Sequence, residues 1–203
     1  MSDLQCAARV LVARHGEAGY ETEALSDHGG TLTAQGREQS RALGASLVER
    51  RIARVWSSPL ARAVQTAEIA AAALGCDVTV REGLRELSVG AHAGSPGVPD
   101  PLRPTFDLWL AGDLTARIDG AESGAEIVDR FRAVLDEVAD LHRGEAVLVI
   151  SHGGAIGTAV PALADNLTSS YPQGRPLPNC GIVELEADAD GWVARSWAGA
   201  PVG

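Results

Sequence analysis

Two histidines follow similar apolar segments near opposite ends of the chain. His15 ends the segment VLVARH at residues 10–15, His152 ends VLVISH at residues 147–152, and a glycine follows each. If the two segments form neighbouring parallel strands, both imidazoles emerge at the carboxyl edge of the sheet, where open α/β folds bind their ligands. One histidine at a strand end is often structural, whereas two in matched positions, one preceded by Arg14, indicate a binding or catalytic site.

Two further features at this predicted edge suit an anionic ligand. Gly153 and Gly154 can present backbone amides at the N-terminus of a helix, and such a terminus binds anions. Arg62, in SSPLARAVQTA at residues 57–67, is predicted in the first turn of a helix, where a cation opposes the helix dipole. Arg62 is therefore either a solvated surface residue or a partner for an anion at the same edge.

Glu86 lies in GLRELSVGAHAG at residues 83–94, just after a predicted strand. Taken alone, it is expected to be a solvated surface acid. If a phosphoryl group is transferred to a histidine, however, the departing alkoxide needs a proton donor, and a glutamic acid can supply it. The role of Glu86 therefore depends on whether the fold brings it to the histidines.

The elements that must position these side chains alternate between strands and helices. The segments at 9–13 and 146–150 are β-branched apolar runs, typical of strands buried on both faces of a mostly parallel sheet. Further strands are predicted at 54–57, 77–81, 181–186 and 192–197, whereas the proline-rich segment at 94–104 and the segment at 169–179 are predicted as loops. This alternation predicts a three-layer α/β/α sandwich.

Three helices carry N-terminal signals. Thr33 is predicted to cap a helix that runs to about Arg51, and Ser58 with Pro59 to start a helix that ends near Gly75. Ser123 and Glu126 are predicted to form a capping box. The helix that this box starts has an apolar face made of Ile127, Phe131, Val134, Leu135, Val138 and Leu141.

Length and composition favour one domain spanning residues 1–203, because a chain of 203 residues can bury a sufficient core. No run of eighteen apolar residues could span a bilayer, and the N-terminus lacks the basic region of a secretory signal, so a cytoplasmic location is expected. The three cysteines include no CxxC pair, and the five histidines lack zinc-type spacing. We expect no metal, no disulfide framework and no cofactor.

The net charge of −10 excludes some classes of partner. A surface this acidic repels nucleic acids and anionic membranes at long range, so neither is an expected partner. Salt screens that repulsion over about 8 Å, and a few clustered arginines can still bind an anion locally. The expected partner is a small anionic molecule, and the sequence makes no prediction of oligomeric state.

Five motifs in order make the chain similar to a known family. RHGE at 14–17, LTAQGREQS at 32–40, SSPLARAVQTA at 57–67, LRELSVG at 84–90 and SHGG at 151–154 resemble those of the histidine phosphatase superfamily, in its phosphoglycerate mutase-like branch. The segment at 119–127, DGAESGAEI, is similar to that family's Gly-Glu-Ser segment. The resemblance covers residues 9–185 and implies a phosphoglycerate mutase-like fold.

The resemblance implies a metal-independent phosphatase acting on a small phosphorylated metabolite. His15 would attack phosphorus and become phosphohistidine, and Glu86 would protonate the leaving group and later activate water. Arg14, Arg62 and His152, with the Gly153 amide, would bind the phosphoryl oxygens, so that no metal is required.

The sequence departs from the family pattern at substrate-binding positions. Ala18 and Glu21 replace the usual threonine and asparagine, His92 replaces a tryptophan, and a proline is missing near Asp119. These departures concern the substrate rather than the phosphoryl chemistry. Two alternatives stay open: a phosphoglycerate mutase, for which the span between Glu86 and Ser123 is short, and a non-catalytic module that binds a phosphorylated ligand.

Overall fold

The fold is built on a seven-stranded mixed sheet. The computed structural model describes residues 6–19, 24–187 and 191–202. The strands in order across the sheet are β5 (Val78–Val80), β4 (Ile52–Ser57), β6 (Ala146–Ser151), β1 (Ala8–Arg14), β7 (Ile182–Ala187), β8 (Trp192–Trp197) and β9 (Ala200–Pro201). The first four are parallel, and β7, β8 and β9 pair antiparallel at the other end. Five of the seven strands thus share one direction, and the predicted mostly parallel α/β sheet is confirmed.

Helices cover both faces of the sheet. On one face, α4 (Gly124–Leu141) and α5 (Gly153–Leu163) pack on Val10 and Val12 of β1. On the other, α1 (Ala34–Ser46) and α2 (Ala61–Leu74) pack on Leu11 and Ala13. The central strand β1 is therefore apolar at consecutive positions because both of its faces are buried. This is the three-layer sandwich that the sequence predicts.

The remaining elements lie around the carboxyl edge of the sheet. Two short strands, β2 (Ala18–Gly19) and β3 (Thr31–Leu32), pair with each other. A short helix, α3 (Arg103–Leu110), packs through Trp109 against the start of α4. The sequence predicts a loop up to residue 104 and no helix here. A helix of two turns that begins beside prolines carries too little periodic pattern to be predicted from the sequence.

Two further predictions are wrong in detail. Ser58 does not cap α2, which begins at Ala61 with Leu60 at the N-cap position. Leu141, expected on the buried face of α4, is 63% exposed because the helix ends there. The capping box of Ser123 and Glu126 is confirmed, as is the end of α2 near Gly75. Gly75 adopts a left-handed conformation there.

Close backbone contact explains the glycine of the LTAQGREQS segment. Gly36 lies in the first turn of α1, and a Cβ built there would be 2.0 Å from the carbonyl oxygen of Glu17. A Cβ on Gly16 would likewise be 2.6 Å from the carbonyl oxygen of Gly36. The start of α1 therefore packs directly on the loop that follows β1, and only two glycines allow that distance.

Gly36→Ala should lower the free energy of unfolding by about 1–3 kcal/mol, the usual cost of overpacking, because the new methyl group overlaps the Glu17 carbonyl. Alanine's higher helix propensity would by itself act in the opposite direction. Urea denaturation measures the change. Gly157→Ala in α5 is the matched control, since a Cβ there meets nothing within 4 Å, and its stability should be unchanged or higher. Equal effects at the two positions would contradict the close contact.

Candidate active site

The two histidines lie side by side because their strands pair in register. β1 and β6 are parallel neighbours, with Arg14 opposite Ser151, so the residues that follow them leave the sheet together. The His15 amide donates to the Ser151 carbonyl at 2.9 Å. The ring centroids of His15 and His152 are 5.1 Å apart. The structure thus brings both imidazoles to the carboxyl edge of the sheet.

The hydrogen bonds of His15 assign its tautomer. Nδ1 lies 2.6 Å from the Gly16 carbonyl oxygen, which can only accept, so Nδ1 carries the proton. Nε2 then has a lone pair, which accepts from Nε of Arg62 at 3.2 Å. Burial lowers the pKa of His15 from 6.5 to about 4, and the charges of Arg62 and Arg14 add to that effect, whereas the bond to Gly16 opposes it. His15 is therefore a neutral imidazole with a nucleophilic Nε2 near pH 7.

Arg62 is a buried residue rather than a solvated one. It lies in the first turn of α2, is 4% exposed, and donates from Nη1 to the His28 carbonyl at 3.0 Å. Its own carbonyl accepts from the Thr66 hydroxyl, and Thr66 Oγ1 accepts from the Gly16 amide at 3.0 Å. One turn of α2 therefore positions both the guanidinium and the loop that contains His15.

Arg14 and His152 each contribute a buried polar atom without a partner. Arg14 donates from Nη1 to the Leu177 carbonyl at 3.0 Å, while its Nε has no acceptor. His152 is fully buried, its Nε2 lies 2.7 Å from Ser58 Oγ, and its Nδ1 has no partner. Among the described residues, these are the two buried side-chain polar atoms without a hydrogen bond. Since such atoms are costly unless a ligand satisfies them, their presence beside His15 indicates a polar ligand.

The charge state of His152 follows from its surroundings. Burial lowers its pKa well below 6.5, and the positive charges around it, Arg62 first, lower it further. The Ser58 hydroxyl accepts from the Leu60 amide at 3.3 Å and can donate to Nε2 of His152. That arrangement leaves the proton of the neutral ring on Nδ1, so the unpartnered atom is a donor suited to an anionic oxygen.

Glu86 lies at the N-terminus of α5, the helix that begins directly after His152. Its Oε1 accepts from the Ala155 amide at 2.7 Å and the Leu87 amide at 3.1 Å, and its Oε2 accepts from the Gly154 amide at 3.1 Å. A Cβ on Gly154 would be 2.7 Å from Oε1, so the glycine leaves room for the carboxylate. The Gly154 amide, predicted for an external anion, thus binds Glu86. Gly153 instead adjoins Arg14, whose Nε lies 3.3 Å from the position of a Cβ.

Several supporting residues are not predicted from the sequence. Ser58, expected as a helix cap, contacts His152, and Asn179 donates to the His15 carbonyl at 3.0 Å. Gln39, in the LTAQGREQS segment, accepts from the Glu17 amide at 2.8 Å. The only signal for Ser58 and Thr66 in the sequence is their spacing of four residues on either side of Arg62. Nothing in the sequence singles out Asn179.

The described positions that depart from the family pattern lie outside the two strands whose ends carry the histidines. Ala18 lies in β2, and His92 lies in a 3₁₀ turn, Gly90–His92. The carbonyl of Asp119 accepts from the Ala91 amide at 2.8 Å, which ties the two surrounding segments together. Glu21 lies outside the described residues.

A cavity of about 160 Å³ adjoins the start of α5. Its lining comes from α3, α5 and the loop before β7, and consists of Phe106, Trp109, Leu110, Gly153, Gly157, Thr158, Ser169 and Pro172. None of these side chains is charged. Since Gly153 lines the cavity and also adjoins Arg14, the cavity can take an apolar group attached to a ligand at the histidines.

Two properties of the described residues concern metal binding and membrane insertion. Within the ranges 6–19, 24–187 and 191–202, no three His, Cys, Asp or Glu side chains are grouped so as to bind a metal ion. No helix in the same part of the chain has the length and apolar character needed to cross a membrane.

The chain matches a known protein family along nearly its whole length. The family model of the histidine phosphatase superfamily (branch 1) matches residues 10–199. A protein of Salmonella choleraesuis (strain SC-B67) named as a probable phosphoglycerate mutase, GpmB, is 32% identical over 195 residues, and the match covers 93% of this chain and 89% of that protein.

Solved structures with the same fold include phosphatases. A mycobacterial glucosyl-3-phosphoglycerate phosphatase is 25% identical with a TM-score of 0.79, over 95% of this chain and 99% of that one. A phosphoserine phosphatase of Entamoeba histolytica shares the fold at 20% identity and a TM-score of 0.78, over 95% of this chain and 97% of that one. The match of the family model along nearly the whole chain shows that this protein belongs to the histidine phosphatase superfamily, branch 1.

Proposed function

We propose that the protein hydrolyses phosphomonoesters of small metabolites through a phosphohistidine intermediate on His15. The observation that carries this proposal is the neutral His15, whose Nε2 lone pair faces the buried guanidinium of Arg62. A nucleophilic nitrogen and a cation suited to binding a phosphoryl group are thus direct neighbours. Membership of a phosphatase superfamily and the phosphatases among the solved structures support a hydrolase.

The first step forms the phosphoenzyme. Nε2 of His15 bonds to phosphorus as the bond from phosphorus to the alcohol oxygen breaks, and the carboxyl group of Glu86 donates its proton to that oxygen. The Nδ1 proton of His15 stays bonded to the Gly16 carbonyl, which stabilises the positive charge that the ring acquires. The alcohol leaves, and Glu86 is left as a carboxylate.

The second step releases phosphate. The Glu86 carboxylate takes a proton from water as the water oxygen bonds to phosphorus, and the bond between Nε2 and phosphorus breaks. Glu86 is then protonated again and His15 is neutral, so the cycle closes. In both steps, negative charge spreads over the phosphoryl oxygens, for which Arg14, Arg62 and Nδ1 of His152 are suitable donors. These groups supply the neutralisation that other phosphatases obtain from metal ions.

The uncharged cavity beside Gly153 supports a preference among substrates. We infer that it takes the alcohol part of the substrate and that this part is apolar. Each buried methylene group contributes about 0.8 kcal/mol, whereas a carboxylate buried without a cation is strongly unfavourable. A phosphomonoester whose only anionic group is the phosphate fits such a site.

A mutase is the second candidate, because the relatives at 32% identity are named as probable phosphoglycerate mutases. A phosphoglycerate carries a carboxylate beside its phosphate, and among the described residues no cationic side chain lines the cavity to bind it. The cavity thus favours the phosphatase. A non-catalytic binding module would need the arginines but neither the neutral nucleophile nor Glu86.

A single domain over residues 1–203 is part of this proposal, supported by one continuous sheet and by the family match over residues 10–199. A cytoplasmic location and the lack of a nucleic-acid partner stay predictions from the sequence.

Rapid quenching with a ³²P-labelled substrate should trap phosphate on His15 in a bond that is labile to acid and stable to alkali, as expected for a nitrogen–phosphorus bond. His15→Ala should abolish both the label and turnover. Peptide mapping after alkaline digestion locates the label. Label on a serine or an aspartate would refute the mechanism.

The free energy of unfolding should fall as the pH is lowered from about 6.5 towards 4. In this range the unfolded chain binds a proton at His15, whose pKa is then ordinary, while the folded protein, with its pKa of about 4, does not. The contribution of His15 to the free energy of unfolding is fully present above pH 6.5. Urea denaturation at pH 5.0 and 7.5 measures the loss, and His15→Gln should make the difference between the two pH values smaller. An unchanged difference in the variant would show that His15 does not contribute.

Alkyl phosphates with apolar chains of four to six carbons should have kcat/KM at least about tenfold above that of 3-phosphoglycerate. Burial of about two methylene groups in the cavity is enough for a tenfold difference. Phosphate release measures this ratio, and no 2-phosphoglycerate should accumulate from 3-phosphoglycerate. Leu110→Arg, which adds a cation to the cavity lining, should shift the ratio towards phosphoglycerate. A wild-type preference for phosphoglycerate, or isomer formation faster than phosphate release, would favour the mutase.

A further inference from the structure

Arg130, in the second turn of α4, uses all of its hydrogen-bond donors on one short segment and one acid. Nη1 donates to the carbonyls of Gly83 and Arg85, each at 2.8 Å, and Nη2 donates to the carbonyl of Glu86 at 3.4 Å. Nε and Nη2 also donate to the two carboxylate oxygens of Glu122, at 2.6 and 3.2 Å. A guanidinium has five N–H bonds, and here all five have acceptors.

The three carbonyls belong to the segment that carries Glu86. This segment leaves a 3₁₀ turn at Leu84, and its next residues belong to no helix or strand. Close packing joins the same segment to α4, since a Cβ on Gly83 would be 2.5 Å from the Arg130 carbonyl oxygen. Arg130 therefore supplies hydrogen bonds that regular structure supplies elsewhere.

Open space adjoins this segment. A cavity of about 390 Å³ lies there, lined by Glu82, Gly83, Arg85, Ser88, Glu122 and Arg130. The donors of Arg130 are all in use and two of the lining residues are acids, so the cavity is not suited to an anion. It does leave space into which the segment could shift if its hydrogen bonds to α4 were lost.

We propose that Arg130 is a positioning residue for Glu86, and the inference rests on the proposed function, in which Glu86 is the proton donor. The amides of α5 bind the carboxylate of Glu86, and Arg130 binds the main chain from which that side chain extends. Glu122 orients the guanidinium through the ion pair, in which the two side chains are 19% and 28% exposed. This arrangement also gives the Gly-Glu-Ser-like segment at 119–127 a specific task.

Lysine cannot replace arginine here. An ammonium group has three donors at one point, whereas the acceptors of Arg130 lie around a planar fork and include three separate carbonyls. Arg130→Lys should therefore behave like Arg130→Ala, although it keeps the charge. Arg132→Ala is the matched control, because Arg132 is an exposed arginine on the same helix.

Two substrates with different leaving groups separate positioning from general destabilisation. An alkyl phosphate such as butyl phosphate needs a proton on its leaving oxygen, whereas 4-nitrophenyl phosphate expels a stable phenoxide. Rapid quenching measures the rate constant of phosphoenzyme formation from each. Arg130→Ala should slow the reaction of the alkyl ester at least about tenfold more than that of the aryl ester, part of the 10²–10⁴-fold that general acids contribute. A smaller folded fraction lowers only the burst amplitude, and equally for both esters.

The Glu86→Gln variant tests whether Arg130 acts through Glu86. In that background, Arg130→Ala should no longer change the ratio of the two rate constants, while Arg132→Ala should leave it unchanged in either background. If Arg130→Ala does not fold, Glu122→Gln, which weakens the orientation of the guanidinium, should change the ratio in the same direction by a smaller factor.

The possible failures are distinguishable. An equal loss for both esters in the Arg130 variants, with a selective loss in Glu86→Gln, would overturn the positioning role and leave the proposed function intact. A selective effect of Arg130→Ala that persists in the Glu86→Gln background would show that Arg130 acts by another route. No selective loss in Glu86→Gln itself would overturn the assignment of Glu86 as the proton donor, and the positioning role with it. Absence of label on His15 would overturn the phosphohistidine mechanism.

Discussion

The parallel pairing of β1 with β6 is the contact on which the arrangement of the site depends. It places Arg14 opposite Ser151, so that His15 and His152 leave the sheet as neighbours, with ring centroids 5.1 Å apart. Both strands are buried on two faces by helices, so a slip of one residue would exchange side chains between the two cores and disturb the close packing of each. The position of two catalytic candidates is thus set by the same burial that stabilises the fold.

Helices α1 and α2 hold the loop after β1 with side-chain hydrogen bonds. Gly36 lets α1 approach the backbone of Glu17, Gln39 accepts from the Glu17 amide, and Thr66 accepts from the Gly16 amide. Since the backbone groups of a loop lack partners in regular structure, these acceptors satisfy amides that would otherwise be unpaired. The motifs LTAQGREQS and SSPLARAVQTA therefore position the loop that follows His15.

The electrostatics of the site are local. The chain carries a net charge of −10, yet two arginines and two neutral imidazoles meet at one edge of the sheet. Burial lowers the pKa of both imidazoles and keeps them uncharged. The two guanidiniums therefore experience no repulsion from a charged histidine before an anion binds. Glu86 belongs to the same design, because the amides of α5 bind its side chain while Arg130 binds its main chain.

The sequence by itself determined the features that depend on local pattern: the buried strands, the capping box at Ser123, the first-turn position of Arg62 and the paired histidines. These follow from hydrophobic periodicity and from residue preferences at element ends. Only the tertiary structure decided that Ser58 contacts His152 instead of capping α2, that α3 forms, and that Arg130 reaches the segment of Glu86. The first and last of these contacts join residues 94 and 44 positions apart, and α3 packs through Trp109 on the start of α4. No local pattern in the chain encodes such contacts.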